Sequence, residues 1–78
     1  MFYGGFIMYK RIRELRKESG KSQTETARLL NMSQTGYSKY ETGENDVPTV
    51  VLIKLAKLYS VSVDYILELT DLPDPYEN

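Results

Sequence analysis

Residues 23–42, QTETARLLNMSQTGYSKYET, decide how this chain is to be read. The stretch holds two helical segments with a break of about three residues between them. Ser22 and Glu25 form a capping box, in which the serine hydroxyl takes the Glu25 amide and Glu25 reaches back, so a helix starts here and runs to about Leu30. Asn31 interrupts it, because asparagine tolerates a left-handed backbone better than any residue but glycine. Ser33 can cap the next helix, which runs to about Thr42 with Gly43 as its stop. Ala27 supplies the small side chain that two steeply crossing helices need where they touch. Leu30, Met32, Tyr37 and Tyr40 are the apolar anchors, and the helical spacing of the tyrosines assigns them to core packing rather than stacking. Between them lie Ser33, Gln34, Thr35, Gly36, Ser38 and Lys39, short or flexible hydrogen-bonding groups of the kind a DNA major groove accepts.

Working outward, the rest of the chain is helical too. Tyr9, Ile12 and Leu15 share one helical face, with Gly20 as the stop. Residues 44–48 read as a loop, after which Thr49 is expected to cap a fourth helix carrying Leu52, Leu55, Ala56 and Tyr59. Ser62 can cap a fifth, with Asp64 near its positive end. The prolines of residues 71–78 end helical structure. Strand periodicity is missing. The chain therefore reads as all-α, five short helices. The expected core is Leu15, Ala27, Leu30, Met32, Tyr40, Leu52, Leu55, Ala56, Val61 and Ile66.

Composition narrows the function. With 78 residues there is material for one small core. There is no cysteine and no histidine, which removes disulfides, thiolate or imidazole metal sites and the usual nucleophile–base pairs. No carboxylate pair in an evident pocket and no glycine-rich phosphate loop points to an enzyme, so none is expected, nor any cofactor or metal. No apolar run approaches the roughly 20 residues of a membrane span. The apolar opening precedes its basic residues, the reverse of a signal peptide, so a cytoplasmic protein is expected. The net charge of −1 hides an asymmetry. Residues 1–43 carry eight Lys and Arg against four acids, and residues 44–78 carry two Lys against seven acids. A phosphate backbone responds to that local field and not to the total.

From Tyr9 to Asp71, about four-fifths of the chain, the sequence resembles the Cro/C1-type (XRE-type) helix-turn-helix family. The pieces are Arg11-Ile12-Arg13-Glu14-Leu15-Arg16, Ser22-Gln23, Ala27, Ser33-Gln34-Thr35, Tyr40-Glu41-Thr42-Gly43, Val47-Pro48-Thr49, Leu55-Ala56 and Val61-Ser62-Val63-Asp64-Tyr65, and their order and spacing carry the match. The resemblance implies a compact five-helix lambda-repressor-like domain over residues 8–70, preceded by an extension (1–7) and followed by a tail (71–78). Residues 1–7 read either as the product of an upstream start or as a mobile arm. The implied function is sequence-specific binding of double-stranded DNA by a small transcriptional regulator, a repressor, with helix 33–42 in the major groove. The alternative is a protein-interaction module, an antitoxin or adaptor, on the same fold.

Residue roles follow from the same resemblance. Gln34, Thr35 and Lys39 occupy base-contact positions, and Gln34 can pair bidentately with adenine. Gln23, which also braces Gln34, and Ser38, Thr42 and Gly43 occupy phosphate-contact positions. Arg16 and Glu41 resemble a structural ion pair between the first and third helices. Asn31 stands where glycine is usual, Thr26 where an aliphatic residue is common, and Gly36 lies inside the recognition helix. Glu44 and Asp46 put negative charge in a loop expected to approach phosphate.

A single such domain reads too few base pairs for a unique address, so a homodimer on a near-palindromic operator is expected, with no small-molecule effector evident. Tyr65, Leu69, Leu72 and Tyr76 exceed what a small core needs and form the candidate dimer surface. Tyr65 and Leu69 have a second reading, as cover for the domain's own core.

Overall fold

The computed structural model describes residues 9–74. Five helices follow in order: α1 (Lys10–Glu18), α2 (Gln23–Leu29), α3 (Gln34–Thr42), α4 (Thr49–Tyr59) and α5 (Val63–Ile66). Among the described residues there is no strand, and no helix is long and apolar enough to cross a membrane.

One device starts three of the helices. The hydroxyls of Ser22, Ser33 and Ser62 each accept from the backbone N–H three residues on, those of Glu25, Gly36 and Tyr65, all at 3.0 Å. Each bond satisfies one of the four amides that a helix start leaves unpaired. Helix α4 departs from expectation. Pro48 is its N-cap and makes no side-chain bond, while Thr49 is already helical. The fixed φ of proline, −60° here, does the work expected of the threonine hydroxyl.

Left-handed residues set the stops. Asn31 turns the chain between α2 and α3 at φ 60°, and Gly43 ends α3 at φ 84°. Ser60 does the same after α4 at φ 55°, without the glycine or asparagine that would announce it. Gly36 has a steric reason. A Cβ there would sit 3.1 Å from the Ser33 hydroxyl and 3.3 Å from the Met32 methyl, so glycine leaves room for the cap that starts α3.

The core gathers Ile12, Ala27, Leu30, Tyr37, Tyr40, Val47, Leu52, Leu55, Ala56, Val61 and Ile66. Ala27 is the small residue at the α2–α3 crossing and is 1 % exposed. Leu15 and Met32, expected inside, are only partly buried at the edge of this core, and Tyr37 and Ile12 take the central places. Tyr37 and Tyr40 meet edge-to-face, with ring centroids 6.3 Å apart. Thr26 is fully buried in spite of its hydroxyl.

Two side chains tie distant segments to α1. The Tyr9 hydroxyl donates to Asp46 at 2.6 Å and anchors the α3–α4 loop. That bond, with burial after it, pushes the Tyr9 hydroxyl up to about 12. Arg11 donates to the carbonyls of Tyr65 and Thr70 at 2.8 and 2.7 Å and to the Asp71 carboxylate at 2.9 Å, and its guanidinium lies 4.1 Å from the centre of the Tyr65 ring.

Core position should be visible in stability. Leu55→Ala is expected to cost about 2–5 kcal/mol in urea unfolding, and Leu15→Ala clearly less, because Leu15 lies at the edge. Equal losses would contradict this division.

Candidate nucleic-acid interface

Helix α3 packs against α2 across the Asn31 turn and leaves its first turn open to solvent. Gln34 and Thr35 are exposed, and Ser38 and Lys39, one turn further on, are half-buried. This face offers amide, hydroxyl and ammonium groups with no large apolar cover.

Gln34 is held in place. Its side-chain N–H donates to the Gln23 carbonyl oxygen at 2.7 Å, across the turn. The Gln23 amide nitrogen donates in turn to Glu41 Oε1 at 3.0 Å. Glu41 is 3 % exposed and receives every polar group around it. Arg16 grips it with two parallel bonds, Nε to Oε2 at 2.6 Å and Nη2 to Oε1 at 3.1 Å. The Tyr37 hydroxyl, on the same helix four residues earlier, also donates to Oε2. Arg16 uses its remaining terminal nitrogen on the Lys21 carbonyl at 2.9 Å, which fixes the α1–α2 turn.

Burial alone would push the Glu41 carboxyl up. The bonds from Arg16, Tyr37 and Gln23 outweigh it and hold the group below its ordinary value of 4.5. Burial, then the hydrogen bond to Glu41, raises the Tyr37 hydroxyl, so Tyr37 stays a donor. The network is thus one carboxylate and four donors.

At the far end of α3, the Thr42 hydroxyl lies 3.1 Å from the Glu44 carboxylate and 3.4 Å from the Glu44 N–H. The Asn45 N–H donates to the Lys39 carbonyl at 3.1 Å, so the loop folds back over the helix end. Of the two loop acids, Asp46 is occupied by Tyr9 and Glu44 by Thr42.

A shallow notch beside Gln23 is lined by Arg13, Arg16, Gln23, Glu41 and Thr42. Sequence reasoning missed Arg13. Its position three residues before Arg16 puts the two on one face of α1, a signal that was available. Lys10, Arg13 and Lys17 continue a basic stripe along the same helix, broken by Glu14. Among the described residues there is no group of three or more acids, histidines or cysteines placed to hold a metal.

The candidate dimer residues are scattered in exposure. Tyr65 is half-buried beneath Arg11, whereas Leu69 and Leu72 are 72 % and 70 % exposed. Leu69 therefore does not cover the core. Tyr76 lies outside the described residues.

Comparison with known proteins shows the family. Residues 12–66 match the helix-turn-helix family. The chain is 42 % identical over 66 residues to the uncharacterized HTH-type transcriptional regulator YobD of Bacillus subtilis, covering 85 % of this chain and 59 % of that protein. It is 43 % identical over 58 residues to the HTH-type transcriptional regulator ImmR of the same organism, covering 74 % and 46 %. A prophage-derived uncharacterized HTH-type transcriptional regulator, YonR, also from B. subtilis, is 34 % identical over 59 residues, covering 76 % and 55 %. The chain spans about half the length of these relatives.

The Glu41 network makes a prediction about acid. A carboxyl whose folded pKa is depressed contributes stability that is complete above its unfolded pKa and is lost as pH falls through the folded one. Stability should therefore decline below the ordinary value of 4.5, and Glu41→Gln should flatten that acid limb in unfolding measurements. Arg16→Met, which strands a buried carboxylate, should cost about 3–5 kcal/mol at neutral pH. A fully stable Arg16→Met protein would show that the pair is not a structural one.

Proposed function

This chain belongs to the helix-turn-helix family, and from that premise we propose that it is a sequence-specific, double-stranded DNA-binding transcriptional regulator, a repressor acting in the cytoplasm. The observation that carries the reading is the 2.7 Å bond from Gln34 to Gln23. A long, exposed amide ordinarily samples many rotamers. Here it is braced across the turn before any ligand arrives, which lowers the entropy cost of using it in recognition.

On this reading α3 enters the major groove. Gln34, Thr35 and Lys39 face base edges, and Gln34 pairs bidentately with adenine. Gln23, Ser38, Thr42 and Gly43 meet the phosphates on either side. Arg13 joins them, since it shares the notch with Gln23 and Thr42. The basic stripe of α1 favours that approach.

Two copies bind a near-palindromic operator, with half-sites about 34–36 Å apart. Leu69 and Leu72, the most exposed of the large apolar side chains among the described residues, join them, with Tyr65 nearby in sequence and half-buried beneath Arg11. A second reading, a protein-interaction module, is favoured by one observation: the Glu44 carboxylate already engages the Thr42 hydroxyl, at a position expected to meet phosphate.

Selection from a random duplex pool tests both readings. A recovered inverted repeat supports the first, and no enrichment with flat salt dependence supports the second. On the selected site, Gln34→Ala should cost about 1–3 kcal/mol and relax one base position. Arg13→Ala should weaken all sequences alike and lower the salt slope by about one. Sedimentation with the operator present should give two chains per duplex, and Leu69→Asp should reduce it to one.

A further inference from the structure

We propose that Glu41, which touches no DNA, selects the base that Gln34 reads by fixing the polarity of two side-chain amides in series. The inference rests on the reading of α3 as the recognition helix.

The argument follows the donors. An ionised carboxylate can only accept. Glu41 is held ionised by Arg16, so the group that Gln23 turns toward it must be the NH2 end, as the 3.0 Å bond shows. The carbonyl end of Gln23 is then left facing Gln34. A carbonyl can only accept, so Gln34 must in turn present its NH2 end, as it does at 2.7 Å. One N–H of Gln34 is consumed, and its carbonyl oxygen and second N–H remain for a base edge. One acceptor beside one donor matches adenine, which offers a donor at N6 and an acceptor at N7. It does not match guanine, whose N7 and O6 are both acceptors.

Each amide alone could rotate by half a turn at little cost. Coupled to a carboxylate, neither can. Replacing Glu41 by glutamine removes the constraint in a defined way. Oε2 takes the short Arg16 Nε bond at 2.6 Å and the buried Tyr37 hydroxyl, whereas Oε1 takes Gln23 at 3.0 Å and the longer Arg16 Nη2 bond at 3.1 Å, so the one remaining carbonyl oxygen belongs at Oε2 and the Nη2 bond is given up. The new NH2 then faces Gln23. Gln23 reverses and gives up its N–H to phosphate, so binding weakens at every sequence; Gln34 reverses after it and presents two N–H groups outward. That face matches guanine.

The test is base preference at the single position governed by Gln34. In the wild type, adenine is expected to exceed guanine by about tenfold or more, the discrimination of one good bidentate pair. In Glu41→Gln this ratio should fall by about tenfold, toward or past parity. Gln34→Ala should remove any effect of Glu41→Gln at that position. Leu55→Ala, which weakens the fold without touching the relay, should leave the ratio unchanged. If Gln34→Ala alters the preference and Glu41→Gln does not, the polarity lock is wrong and the groove reading stands. If Gln34→Ala alters no position, the groove reading itself fails.

A measurement on the free wild-type protein covers the case in which Glu41→Gln does not fold. NMR should show a scalar coupling from the Gln34 side-chain nitrogen to the Gln23 side-chain carbonyl, and slowed rotation of both NH2 groups. A freely rotating Gln23 amide would overturn the proposal without reference to DNA.

Discussion

A carboxylate taken almost wholly out of water is tolerable only if every lone pair finds a donor. Glu41 meets that condition with groups from α1, α2 and α3, and the three helices are thereby obliged to keep one mutual arrangement. Apolar packing alone is forgiving about small slips between helices. A fork of two bonds from Arg16 is not, because the guanidinium and the carboxylate must be coplanar. The pair thus adds geometric precision to a core whose apolar residues supply most of the attraction. That precision matters at the exposed end of the relay, where a shift of an ångström would misplace Gln34.

Much of this was readable from residue types. Serine caps, an asparagine at a left-handed turn and a glycine stop are local devices, and local chemistry is what a sequence states directly. The first three helices, with α5, start or stop where such residues stand. Where the cause is not a side-chain signal, the reading slips. Pro48 starts α4 through its backbone angle, whereas the side-chain signal stands at Thr49. Ser60 takes a left-handed angle that its residue type does not announce. Leu15 and Met32 are as apolar as Ile12 and Tyr37, and only the packing directions of whole helices determine which pair lies at the centre.

The site divides in the same way. Gln23, Gln34, Arg16 and Glu41 were legible because a shared pattern places all four. Tyr37 was read as core, which it is, but its hydroxyl also belongs to the polar network, and residue type alone gives no means of separating an aromatic body from its tip. Loop acids that looked misplaced beside a phosphate strand turn out to be engaged: Asp46 holds the loop to Tyr9 and Glu44 holds the end of α3. The second engagement still leaves negative charge near the helix end.

The Arg11 latch has a consequence for synthesis. Its acceptors lie 54, 59 and 60 residues further along the chain. A ribosome makes the arginine well before its three acceptors. Until Thr70 and Asp71 have cleared the exit tunnel, α1 carries a guanidinium with nothing to bind and an apolar face only partly covered. Helices α2 and α3 are neighbours in sequence and can associate sooner, since short loops close at little entropic cost. The contact that joins α1 to the segment after α5 is therefore the expected late step in the maturation of this domain.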